Sequence, residues 1–158
     1  MANILPSRPQ QLASGPRSFA VVASLYNTAL VDGLVEHFSR EIEAIAPGST
    51  VAVYRVPGSF EIPLAVQEVA TRGGVESITA FGVILEGETA HANLIGSTVT
   101  QSLMQISLAT RIPVIHEVLL VKNEAQARAR CLEDNLNRGT EAARVAVQLV
   151  QTMSDIRR

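Results

Sequence analysis

A single cysteine, Cys131, stands among 158 residues. One thiol excludes an internal disulfide and a multi-cysteine metal site, and it suits a reducing compartment, so the expected location is the cytoplasm. Charge of one sign is also missing. The formal net charge is −2 and the thirteen Lys and Arg residues are scattered, a pattern that points to neither nucleic acid nor anionic membrane. No apolar run approaches the roughly 20 residues of a membrane span. The opening stretch, "MANILPSRPQQLASGPRS", lacks a long apolar core and carries Pro6, Pro9 and Pro16, so it does not read as a secretory signal. Internal repeats, low-complexity tracts and the phosphate loops GxGxxG and GxxxxGK[ST] are absent too.

What remains is ample for one domain. The length suits a single compact unit, and 47% hydrophobic residues can fill its core without crosslinks. The expected organisation is a flexible arm over residues 1–17 and one domain over 18–158. Within it, short apolar runs alternate with helical periodicity. "SFAVVAS" (18–24), "TVAVYRV" (50–56), "SITAFGVIL" (77–85) and "PVIHEVLLV" (113–121) read as strands. Leu30, Leu34, Phe38 and Ile42 form an apolar stripe for a first helix that Pro47-Gly48 stops. A second helix opens at Ser59 or Phe60, with Pro63 in its first turn, and ends at Arg72-Gly73-Gly74. Ile95, Val99, Leu103 and Ile106 share one face of a third, and two more helices are expected over 123–133 and 139–154. Strands apolar on both faces and alternating with helices predict a four-stranded parallel sheet between two helical layers, a flavodoxin-like α/β/α sandwich.

In such a sheet ligands bind outside the carboxyl ends of the strands. Four segments fall there: Tyr26-Asn27, "PGSFEIP", "GETAH" and "LLVKNE". In "GETAH", Gly87 permits a sharp turn and Thr89 is placed to cap the next helix, whose free N–H groups suit a phosphate. His91 then lies in the first helical turn, where the dipole favours a neutral ring able to accept a proton. Spacing alone fits equally well a plain cap followed by an exposed helix residue. Phe60 could stack on a flat heterocycle and Glu61 could accept hydrogen bonds, although an ordinary helix start with a first-turn acid explains both. Asn27 is an adequate helix cap by itself. Of the other histidines, His37 reads as solvated on the polar face of the first helix and His116 as a satisfied buried ring. Cys131 reads as packed, not reactive.

Taken together, Tyr26-Asn27, "VPGSFEIP", "GETAH", "PVI" and "QARARCLEDNLNRGTEAA" resemble the 6,7-dimethyl-8-ribityllumazine synthase family over about residues 18–152. The resemblance implies a condensation of 5-amino-6-(D-ribitylamino)uracil with 3,4-dihydroxy-2-butanone 4-phosphate, the penultimate step of riboflavin biosynthesis, with no metal or organic cofactor. It implies that Tyr26 stacks on the pyrimidine beside Asn27, and that Ser59, Phe60 and Glu61 hold the ribityl chain. The backbone of Val83, Ile84 and Leu85 would run beside the uracil ring. Glu88 and Thr89 fall at phosphate-loop positions, His91 at the proton-transfer histidine and Arg130 at a phosphate-binding arginine supplied by a neighbouring subunit. Arg138 stands for a lysine near the same site, and Glu141 for an acid that orients the histidine.

Several positions depart from the family pattern. Glu86 replaces a frequent arginine and Ala92 an aromatic. His116 replaces a phenylalanine lining the pocket, and Glu117 a glycine. A non-catalytic lumazine- or flavin-binding or shell-forming paralogue on the same scaffold is the rival reading; the presence of His91 and Arg130 speaks against it. A generic nucleotide module would carry a Ser/Thr-rich loop after the first strand, and "SLYNTALVDG" is not one. The implied assembly is a homopentamer. Larger forms run up to a sixty-subunit shell that would enclose riboflavin synthase. In shell-forming members the N-terminal arm adds a strand to a neighbouring sheet. Three prolines oppose a long one, leaving room for a short strand within residues 10–15.

Overall fold

The computed structural model describes residues 4–9 and 15–158. Four strands appear where the apolar runs lie: β1 (Ser18–Ser24), β2 (Thr50–Val56), β3 (Ser77–Leu85) and β4 (Val114–Val121). They form one all-parallel sheet in the order β2-β1-β3-β4. Between them run α1 (Thr28–Ile45), α2 (Ile62–Arg72) and α3 (His91–Thr110), and α4 (Glu124–Cys131) and α5 (Arg138–Ile156) complete the chain. A single 3-10 turn, Ser59–Glu61, leads into α2, with Pro63 in the first turn, where its missing N–H leaves no helical bond unmade.

The period-2 geometry of β1 sorts the core into two halves. Phe19, Val21 and Ala23 point to a cluster with α1, α4 and α5, whereas Ala20 and Val22 point to one with α2 and α3. In the first cluster Phe38 of α1 meets Phe81 of β3 edge-on, with ring centroids 5.7 Å apart, an arrangement that adds about 0.5–1.5 kcal/mol to simple burial. Leu34 and Phe38 are fully buried there, so truncating either to alanine would cost about 2–5 kcal/mol.

The expectation of strands covered on both faces holds for β1 and β3 but not for β2. As an edge strand β2 leaves Thr50, Ala52, Val53 and Arg55 exposed. Among the described residues, no helix is long and apolar enough to cross a membrane. Residues 4–9 lie against the α1–α5 face, where Arg8 and Arg144 both bond the buried Glu41 carboxylate. The short strand anticipated within residues 10–15 falls on residues 10–14, outside the described residues.

The strand order sets the position of the site. β1 connects outward to β2 through α1 on one face, and β3 connects outward to β4 through α3 on the other. The two connections leave the carboxyl ends of neighbouring strands in opposite directions and open a crevice between them. That is the topological switch point of a doubly wound sheet.

Candidate active site

A cavity of ≈ 860 Å³ fills that crevice. Tyr26 and Asn27 reach it from the end of β1, Ser59, Phe60 and Glu61 from the turn after β2, Val83, Ile84 and Leu85 from the end of β3, and His91 from the start of α3. Nine positions singled out in the sequence therefore converge from four segments.

Local contacts explain how each is held. Asn27 adopts a left-handed backbone (φ 58°) at the head of α1, a conformation that asparagine tolerates better than most residues. Its side chain does not cap the helix. Instead Nδ2 donates to the Val83 carbonyl at 2.8 Å and ties the β1 end to β3. The amides of Leu25 and Tyr26 donate to Val56 and Pro57, tying the same loop to β2. Glu61 is committed as well: its carboxylate accepts from the Gly58 amide at 2.9 Å and closes the 3-10 turn. A side chain at Gly58 would meet both that carboxylate and the Tyr26 ring at 2.9 Å. Gly82 plays the same part on β3, since an added Cβ would stand 2.5 Å from the Ser59 hydroxyl. Two residues without side chains thus let the turn pack flat on the strand ends.

The cavity wall is apolar and open to solvent. Tyr26 and Phe60 are 70% and 60% exposed, so two aromatic rings stand outside the core at the crevice. Leu94, Ile95 and Thr98 complete the wall. Sequence reading missed these three, although a signal was present: they follow His91 at helical spacing and share its face of α3. Thr89 is not the cap of α3. Ala90 holds that position, and the Thr89 hydroxyl lies 3.5 Å from the His91 amide. Glu88 and Thr89 lie on the exposed loop beside the cavity mouth.

The remaining candidates lie elsewhere. His116, Arg130, Arg138 and Glu141 line a second cavity of ≈ 550 Å³ that wraps the free edge of β4. Arg138 is buried at the start of α5 and ion-paired with Glu141. Its Nε has no hydrogen-bond partner. Glu141 therefore contacts Arg138, not His91, within one subunit. His116 departs from the expected buried ring: it is exposed, with Nε2 2.8 Å from the Thr100 hydroxyl. Burial by the packing around its ring nonetheless pushes its pKa down. His37 departs in the opposite direction. It is buried because the link after α4 folds over α1, bringing Asp134 within 3.8 Å of Nδ1 while Arg40 contacts the same nitrogen. Among the described residues, no group of His, Cys, Asp and Glu could hold a metal ion.

A parallel sheet with an aromatic-lined crevice at its switch point, a histidine on a helix start and an arginine-bearing cavity at the far edge is the architecture of an α/β enzyme acting on small molecules. Residues 16–154 match the 6,7-dimethyl-8-ribityllumazine synthase family, and the chain belongs to that family. Similar proteins of that name come from Halorhodospira halophila (33% identical over 93% of this chain and 95% of that one) and Xanthomonas euvesicatoria (35%, covering 85% and 88%). A Caulobacter vibrioides relative, "6,7-dimethyl-8-ribityllumazine synthase 1", is 34% identical over 90% of this chain and 94% of its own.

Proposed function

We propose that the two cavities are the halves of one composite site, closed where neighbouring subunits meet. As a family member the chain is a transferase of riboflavin biosynthesis. It condenses 5-amino-6-(D-ribitylamino)uracil with 3,4-dihydroxy-2-butanone 4-phosphate to 6,7-dimethyl-8-ribityllumazine, phosphate and water. Its substrates are small molecules, and it works as an oligomer.

The observation that carries the composite reading is a separation of charge. The crevice with His91 has no Lys or Arg in its lining, whereas Arg130 and Arg138 sit in the other cavity. A phosphate ester reacting at His91 thus draws its cations from the partner subunit's Arg130 and Arg138. In this reading the pyrimidine stacks on Tyr26 and is bordered by the strand end at Val83, Ile84 and Leu85. Its ribityl chain runs past Asn27, Ser59, Phe60 and Glu61. The 5-amino group attacks the ketone to give a Schiff base, and His91 moves protons as water leaves. Phosphate departs under Arg130 beside Glu88 and Thr89, and the ribitylamino nitrogen then closes the second ring with loss of water. The partner subunit's His116 and Glu141 border the closed site.

Both substrates react readily, so holding amine and carbonyl in register supplies much of the acceleration, an effect worth several kcal/mol. Proton transfer by His91 adds on the order of 10²–10⁴-fold. Arginine on the phosphate gives charge-assisted bonds that bind and stabilise the leaving group. We take the assembly to be a ring of five. The short link after α4 favours its closure into a sixty-subunit shell able to enclose riboflavin synthase. The setting is the cytoplasm, where the buried thiol of Cys131 stays reduced. Incubation with the two substrates should yield the green-fluorescent lumazine, and its absence in assembled protein would refute the activity.

A further inference from the structure

The second cavity contains a carboxyl group that the reaction leaves without a task. Glu117 is half-buried on β4, beside Arg138 and Glu141 of α5 and Arg130 of α4. One buried guanidinium and two carboxyl groups share this cavity. Glu141 holds it in an ion pair, and the Nε edge of Arg138 stays buried without a partner. That edge is turned neither to solvent nor to another protein group. A buried donor left in this way costs about 1–3 kcal/mol until something accepts from it.

We propose that Glu117 is a positioning residue for the phosphate-bearing ligand: as a neutral acid it leaves the arginines of the cavity to the anion, and as a carboxylate it offsets their charge and discharges the cavity. The inference rests on the reading of this cavity as the anion half of the site.

The surroundings of Glu117 decide which form prevails. Burial pushes its carboxyl up, the Glu141 charge adds to the rise, and Arg138 only partly opposes it, leaving the group at about 8. Every neighbouring element agrees that Glu117 is the group that changes charge near that pH. From α4, Cys131, pushed up to about 12 by burial, stays a thiol beside Arg130. From α5 come Arg138 and Glu141, locked to each other. Strand β3 presents Phe81 opposite Glu117 and carries no ionisable residue. Helix α3 offers only the neutral Gly96, Ser97, Thr100 and Gln101 to the cavity. On β4 itself, His116 is pushed below its ordinary 6.5 and is uncharged above it. Two arginines and one carboxylate leave the cavity cationic while Glu117 keeps its proton. Once it ionises, two arginines face two carboxylates and the attraction for an anion is lost.

Titration of the assembled protein with sodium sulfate tests this, because sulfate stays doubly charged where phosphate does not. Sulfate affinity should fall roughly tenfold for each pH unit above about 8. Glu117→Gln should bind sulfate with pH-independent affinity close to that of the wild type at neutral pH, and Glu117→Asp should restore the fall. The KM for the phosphate-bearing substrate should follow the same pattern while the KM for the pyrimidine does not. Flat wild-type binding across the range would overturn the role of Glu117 while leaving the anion site intact. Failure of the wild type to bind sulfate at neutral pH would overturn the anion site and the proposal with it.

Discussion

The Asn27 side chain donates to the Val83 carbonyl across 2.8 Å, so the residue that ends the β1 loop is fastened to the strand edge proposed to border the pyrimidine. That bond extends the tie between β1 and β3 beyond their paired residues. Asn27 also needs its left-handed backbone. Asn27→Ala loses the bond and strains the backbone, a combined cost on the order of 2–3 kcal/mol. Asn27→Gly loses only the bond and should be destabilised less. Chemical denaturation of both variants checks the order, and equal stabilities would mean that the backbone conformation carries no cost.

His91 lies exposed on the first turn of α3. Replacing it with alanine should therefore change stability by less than about 1 kcal/mol. Turnover should drop by on the order of 10²–10⁴-fold if the ring moves protons in the rate-determining step. A variant with unaltered turnover would remove His91 from the mechanism.

Because the arginines and the histidine occupy different cavities of one chain, complementation can be asked directly. Arg130→Ala should raise the KM for the butanone phosphate and weaken inhibition by inorganic phosphate, with the pyrimidine KM unchanged. Mixed oligomers of His91→Ala and Arg130→Ala subunits should regain part of the activity that each lacks alone. No recovery in verified hetero-oligomers would place both residues in one subunit's site.

Glu41 is buried between α1 and α5 and accepts from Arg8 and Arg144. Burial works to raise its pKa, but the hydrogen bonds and charges of the two arginines together lower it below the ordinary 4.5. A lowered folded value means that the ionised carboxylate stabilises the fold. Its contribution is present above about 4.5 and is lost as the pH falls through the folded value. Glu41→Gln should thus be less stable than the wild type at pH 7, by about 1–3 kcal/mol. That gap should narrow in acid. Melting temperatures at neutral and acid pH give the comparison, and a constant gap would contradict the lowered value.

Light scattering resolves the assembly, since five and sixty copies of a 16.9 kDa chain differ twelvefold in mass. A ring or a closed shell is compatible with the composite site. A monomer at micromolar concentration, still active, would not be.

The sequence by itself determined the fold and most of the crevice, because both depend on local pattern. Apolar runs of strand length placed all four strands, and the stripe Leu34, Phe38, Ile42 located the buried face of α1. Strand ends followed, and with them Tyr26, Phe60 and His91. The tertiary structure decided what depends on who stands opposite. Glu61 is the helix-start acid it looked like, bonding the Gly58 amide, whereas Asn27 leaves its helix uncapped and holds the Val83 carbonyl, as a short polar side chain bonds whichever partner the packing brings nearest. His37 lay on a polar helix face until the link after α4 covered it. Likewise the division of the arginines from the histidine arises because β4 forms the far edge of the sheet, two strands away from β1. Periodicity records which face of an element is buried; only the folded chain records what charge or hydrogen-bond partner waits on the other side.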